Sequence, residues 1–201
     1  MSKKELRGWK TVSRKILLRQ GKFLTVESHA IKLPDGEIIP DWSWLIIPSA
    51  AIVLPVTPEG KFLCFRQTKY AVEGTTLAPV GGMLEPDEAP IAAAKRELLE
   101  EMGTIASDWI HLGSYVLDPN RGIATMHLYL ALNATQIAQP NSDDLEDQEI
   151  LFLNKNELEN ALKMGEFKIL AWSAVVAMSL NYLNANENLK RVKQRPSEKG
   201  E

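Results

Sequence analysis

The chain has 201 residues, modestly more than a typical domain of about 150, so one main hydrophobic core is expected, with no need of disulfides or a structural metal. It carries 23 Lys and Arg against 26 Asp and Glu, a net charge of −3, which excludes the basic footprint of a nucleic-acid scaffold. The single cysteine, Cys64, excludes an intrachain disulfide and a multi-cysteine zinc site, and it fits a reducing, cytoplasmic compartment. The first ten residues lack the apolar core of a signal peptide. The longest apolar stretch, 44–56, is broken by Pro48, Ser49 and Pro55, so no membrane span is expected.

In chain order, Thr11 to Leu33 predicts two strands around Gly21, and the Pro34-Asp35-Gly36 turn leads to a third. The apolar run Ala50 to Val56 has the β-rich content of a buried central strand. It pairs with Lys61 to Gln67 across the Pro58-Glu59-Gly60 turn. Ala89 to Met102 switches to helical spacing: Ile91, Ala94, Leu98 and Met102 form one apolar stripe, and Gly103 follows as a stop. Strands are predicted at 110–117, 125–132 and 149–153, the last preceded by a polar loop from Gln139 to Asp147. Helices are predicted at 156–164 and 169–183, and from Asn184 the chain turns polar and should fray. The pattern reads as α+β, or a layered α/β/α arrangement.

The sharpest chemical signal lies on the 89–102 helix. Glu97, Glu100 and Glu101 stand at i, i+3 and i+4, so their carboxylates share one face and repel one another. Taken alone they fit a solvated helix face; a hard divalent cation would turn the repulsion into attraction, and oxygen-only ligands suit Mg²⁺ or Mn²⁺ rather than zinc. Arg96 is four residues before Glu100 and eight after Glu88, where its planar fork can hold one or both carboxylates. Upstream, Gly81 and Gly82 remove side chains where backbone must come close to a ligand, and the Gly81 carbonyl is a further candidate metal ligand.

The complete string resembles the Nudix box, G-x5-E-x7-R-E-U-x-E-E-x-G-U with U aliphatic. It matches at Gly82, Glu88, Arg96, Glu97, Glu100, Glu101 and Gly103, with Leu98 as the first aliphatic residue and Thr104 departing from the last. The resemblance implies the Nudix fold, an α/β/α sandwich around a mixed sheet, and Mg²⁺-dependent hydrolysis of a nucleoside diphosphate linked to another group. It implies that Glu97, Glu100 and Glu101 bind metal while Glu88 and Arg96 orient them.

Pro119 lies 16 residues after Gly103, the mark of the ADP-ribose pyrophosphatase branch, although Asp118 to Gly122 also reads as an ordinary turn. The likeness to that branch runs from about Trp9 to Leu183. Two departures leave other substrates open, nucleotide sugars among them: Gln67-Thr68-Lys69 stands where the branch has Gln-Tyr-Arg, and Ala78 and Val80 replace its glutamate and proline. A non-hydrolysing nucleotide sensor is the alternative from another class.

By the same resemblance an acid on the loop after the box activates the water. Asp143, Asp144 and Glu146 occupy that loop, and Asp144 or Glu146 aligns best. Trp9, Trp42, Trp44 and Tyr70 are the candidates for stacking on a base, with Lys69 and Pro119 beside them as substrate contacts. His29, His111 and His127 have no ligand spacing and read as structural or surface residues. The branch implies a homodimer, so the chain divides into a dimerising strand segment, 1–45, a hydrolase domain, 46–183, and a polar tail, 184–201.

Overall fold

A computed structural model describes residues 6–141 and 147–193, with side chains through Asn186. They fall into two compact units, Met1–Ala50 with Ser114–Met126, and Ala51–Gly113 with His127–Glu201.

The first unit is built on an antiparallel sheet of β1 (Lys10–Gln20), β2 (Leu24–Lys32) and β3 (Ile38–Ile46), in that order. Gly21 and Gly36 supply the positive φ (55° and 101°) that the two connecting turns require. Strand β1 is exposed along its whole length, and Val12, Ile16, Leu17 and Leu18 are each at least half accessible. Opposite β3 lies the 118–122 turn: Trp42 Nε1 donates to the Asn120 carbonyl at 2.6 Å, and the Leu45 N–H donates to the Arg121 carbonyl at 3.0 Å.

The second unit carries the main core. Strands β4 (Ala50–Val56), β5 (Phe62–Lys69), β6 (Val72–Ala78), β7 (Val80–Met83), β9 (Asp108–Asp118), β10 (Ile123–Leu132) and β12 (Gln148–Leu153) form a mixed sheet, all of it in this unit except Ala50, 114–118 and 123–126. Its path runs β12-β5-β4-β10-β9, with β6 paired to β5 and β7 to β4. Short β8 (Thr104–Ile105) and β11 (Thr135–Gln136) pair separately. Helices α1 (Pro90–Met102), α2 (Lys155–Lys163) and α3 (Leu170–Lys193) complete the α+β sandwich expected from the sequence. Ala93, Ala94, Leu98 and Met102 of α1 are buried against Val53, Phe65, Ala78 and Val80, so the predicted apolar stripe is the face that meets the sheet. Truncating a fully buried leucine such as Leu98 to alanine costs about 2–5 kcal/mol.

Two features differ from the sequence reading. Residues 72–83, which show no alternation and contain Gly74, Pro79, Gly81 and Gly82, form β6 and β7, because the neighbouring strands β5 and β4 supply the pairing. Helix α3 does not fray at Asn184 but continues to Lys193. No glycine or proline interrupts 184–193, so backbone hydrogen bonding persists after the apolar periodicity ends. No helix among the described residues is long and apolar enough to cross a membrane.

Candidate active site

Helix α1 starts without a side-chain cap at Ala89, and Pro90 fills the first position, where a missing N–H costs nothing. It ends at Gly103, whose φ of 58° lets its N–H close onto the Leu99 carbonyl at 2.8 Å. The next segment hangs from this end of the helix. Ile137 and Ala138 donate to the Gly103 carbonyl at 2.8 and 3.0 Å, and the Asn141 N–H donates to the Glu100 carbonyl at 2.8 Å. The loop acids Asp143, Asp144 and Glu146 themselves lie outside the described residues.

Arg96 organises the acidic face. Its Nε and Nη2 donate to the two oxygens of Glu88, both at 2.9 Å, the bidentate pairing that only a guanidinium provides. Nη1 donates to Glu97 Oε1 at 2.8 Å and to Glu100 Oε2 at 3.0 Å, and Nη2 reaches the Met83 carbonyl at 3.2 Å. Spacing pairs Arg96 with Glu88 and Glu100, and in the structure it also bonds Glu97, one of the three carboxylates that the resemblance has it orient. Hydrogen bonding from Arg96 is the main reason the Glu88 carboxyl sits below the usual carboxylate range, against a smaller opposing effect of burial. The same bonds raise the Arg96 guanidinium, so it stays charged throughout. Glu88 also accepts from the Glu85 N–H at 2.9 Å, which ties the loop before the helix to the cluster.

Strand β7 closes the other side. The Gly81 N–H donates to Glu101 Oε2 at 3.2 Å. The glycines are required for different reasons. A Cβ on Gly81 would collide with the Ala51 carbonyl oxygen and stand 3.0 Å from Ile52 Cα, both backbone of β4. A Cβ on Gly82 would fall inside the space of the Glu97 carboxylate. The two positions thus let β7 pass close to β4 on one side and to Glu97 on the other.

The donor set fits a hard divalent cation. Three carboxylates and a strand carbonyl supply oxygen alone, and Glu97 and Glu100 already converge on one cationic atom, Arg96 Nη1. Among the described residues no group of three or more acids, histidines or cysteines is gathered closely enough to hold a metal ion as the side chains stand.

The remaining expected residues separate by unit. In the second unit, Lys69 ends β5 opposite Val72, and Tyr70 is fully exposed in the adjoining turn. Cys64 is buried mid-strand and burial pushes its thiol up to about 12, which makes it a core residue and no nucleophile. In the first unit, Trp9 packs edge-on against Trp42 with centroids 5.2 Å apart. Trp44 and Pro119 line one cavity of about 490 Å³. Sequence reasoning missed two of its features, the stacking of His29 on Trp44 and the positive φ of Ala124 (27°). The i,i+2 spacing of Glu27 and His29 on one strand was the available signal for the first; nothing in the sequence marks the second.

A NUDIX domain family model matches residues 46–173. The chain is 28% identical over 189 residues to an ADP-ribose pyrophosphatase of Bacillus subtilis (strain 168), a match that takes in 92% of this chain and 97% of that protein. It is 27% identical to a methanol dehydrogenase activator of Bacillus methanolicus, over 85% and 90% of the two chains. It is 26% identical to a CMP-5'-(N-acetyl-N-hydroxy-3-aminopropyl)phosphonate hydrolase of Streptomyces rubellomurinus, over 74% and 71%. Among solved structures an ADP compounds hydrolase superposes with a TM-score of 0.76 at 19% identity, over 91% of this chain and 98% of the other, which shows a common fold.

Proposed function

The chain belongs to the Nudix family, and from that premise we propose that it is a Mg²⁺-dependent pyrophosphatase that cleaves ADP-ribose to AMP and ribose 5-phosphate. The observation that carries the reading is the Arg96-centred set of box carboxylates, present without substitution and packed against glycines that leave them room. The end-to-end similarity to the Bacillus subtilis ADP-ribose pyrophosphatase supports the substrate, as does Pro119.

In the reaction a water oxygen bonds to one phosphorus, the bridging P–O bond breaks, and each product leaves as a phosphate monoester. Glu97, Glu100, Glu101 and the Gly81 carbonyl would hold the divalent cation, Mg²⁺ or Mn²⁺, which neutralises phosphate charge and acidifies the attacking water. Arg96 and Glu88 fix the direction of the carboxylates. Asp144 or Glu146 accepts the proton of the water. Trp44 and Pro119 contact the nucleoside, and Lys69 and Tyr70 are assigned to the rest of the substrate.

We assign 1–45 to a homodimer contact, supported by the exposed apolar residues of β1; 46–183 to hydrolysis; and 184–201 to a polar tail. We place the reaction in the cytoplasm, with no nucleic-acid or membrane partner. The test is a panel of ADP-ribose, nucleotide sugars, NADH, FAD and dinucleoside polyphosphates, assayed with Mg²⁺. ADP-ribose is expected to give the highest kcat/KM. A nucleotide sugar ahead of it would move the substrate within the family, and binding without turnover of any member would establish a sensor instead.

A further inference from the structure

The cavity lined by Trp44 and Pro119 has a wall of unusual cost. Strands β2 and β3 set Glu27 directly opposite Trp44 and His29 opposite Trp42, so Glu27 and His29, two apart, project to the same side of the sheet. His29 is 2% exposed. Its ring stacks on the Trp44 indole with centroids 5.0 Å apart and planes inclined by 20°. Its Nε2 donates to Glu27 Oε2 at 2.7 Å, and because a carboxylate only accepts, the bond sets the tautomer and the ring plane together. From the tip of the β9–β10 hairpin, Gly122 presses on the same indole: at φ 65° its backbone lies so close that a Cβ would overlap the six-membered ring. Ala124, in the same lining, holds φ 27°, a conformation that costs a residue with a Cβ about 1–3 kcal/mol.

Two of these features do not serve stability. A buried ionisable pair is commonly no better than well-packed apolar residues of the same volume, and backbone strain is a direct loss. Their concentration around one indole is explained if its position matters. The cavity has no charged lining residue, so it rejects a pyrophosphate and suits a flat, neutral ring. Ser49, which accepts from the Thr125 N–H at 3.1 Å, keeps its own hydroxyl hydrogen to offer to such a ring's edge.

We propose that Glu27 and His29 are positioning residues that preset Trp44 as the wall against which the nucleobase of the substrate is held. The identity of the ligand rests on the nucleotide reading above; the preset wall rests on the geometry. Holding an aromatic wall in place before the ligand arrives removes an ordering cost from binding.

The test uses the full-length protein labelled with 5-fluorotryptophan, AMP as the probe, and ¹⁹F NMR with the Trp44 resonance identified through Trp44→Phe. In the wild type AMP shifts the Trp44 resonance. In His29→Leu that resonance broadens or splits before any ligand is added, and AMP affinity falls about tenfold, the scale of a lost base–aromatic stack. Glu27→Gln, which keeps the packing, moves both readouts in the same direction by less, and it serves if His29→Leu does not fold. A single sharp Trp44 resonance with wild-type AMP affinity in folded variants would overturn the proposal. A wild-type Trp44 resonance that ignores AMP, while ADP-ribose is still hydrolysed, would overturn it and leave the hydrolase standing. An AMP shift that depends on His29, with no substrate turned over, would support the wall and refute the hydrolase.

Discussion

Alanine at Gly82 is expected to damage the chemistry while sparing the fold, and alanine at Gly81 to do the reverse. At Gly82 the new methyl occupies the space of the Glu97 carboxylate, the far end of a flexible side chain, which can swing away. The swing breaks one bond from Arg96 Nη1, a loss of about 1 kcal/mol, and the reduced freedom of the unfolded chain returns about 0.4–1 kcal/mol. Net stability should therefore stay within about 1 kcal/mol of wild type, a Tm change of no more than about 4 °C for a chain of this size. Displacing the proposed cation ligand should, however, weaken metal affinity by at least the 10–100-fold typical of losing a residue that orients one. At Gly81 the methyl meets the Ala51 carbonyl and Ile52 Cα, backbone of a buried central strand that cannot move alone. Overpacking of that kind costs about 1–3 kcal/mol, a Tm fall of about 2–12 °C. Thermal unfolding by circular dichroism and the Mg²⁺ dependence of hydrolysis, measured on both variants, separate the two effects. A Gly82→Ala protein with wild-type Mg²⁺ dependence refutes the placing of Glu97 in the cation site, and a Gly81→Ala protein with wild-type Tm refutes the close approach of β7 to β4.

Three further substitutions probe the carboxylates and their arginine. Glu101→Gln should abolish metal-dependent turnover with Tm nearly unchanged, since the amide oxygen still accepts from the Gly81 N–H; wild-type rates at saturating Mg²⁺ would sink the assignment. Arg96→Lys keeps the charge but loses the fork that spans Glu88, Glu97 and Glu100, and should cost about 1–3 kcal/mol, read as a Tm fall of about 2–12 °C. An unchanged Tm would show that charge alone suffices. The Glu88 carboxyl is held below its ordinary 4.5 in the folded state, so its contribution is complete above pH 4.5 and is lost as pH falls through the lowered folded value. A plot of Tm against pH for Glu88→Gln should accordingly fall less steeply on the acid side than wild type, and parallel curves would contradict the pairing with Arg96.

How much of this was legible beforehand follows from the range of the interactions. The box helix was readable because its chemistry is local: three glutamates at i, i+3 and i+4 share a face whatever the rest of the chain does, and Arg96 reaches Glu88 and Glu100 over one or two turns. Glycine at 103 was equally readable, since it alone accepts the positive φ that ends the helix cheaply. Strands β6 and β7 were not readable. Within Glu73 to Gly82 only Thr75, Thr76 and Val80 favour extended structure, against Gly74, Pro79, Gly81 and Gly82, and those residues are strands because β5 and β4 offer them partners.

The same division explains the histidine that sequence reasoning passed over. His29 has no ligand spacing, and an alternating strand with one imidazole reads as packing. Its partner Trp44 is fifteen residues away in sequence, brought opposite Glu27 by the register of β2 on β3, and that register is set by the Leu33–Gly36 turn together with the one-residue shift between His29 and Ile31. A shift of one residue in that pairing would carry Trp44 to the other face, dissolve the stack and leave Gly122 without the ring it accommodates. The proposed base-binding wall is thus a property of strand register rather than of any motif. On that proposal, base binding depends on residues whose role cannot be recognised one position at a time, whereas the grouping of the box carboxylates can be read from their spacing alone.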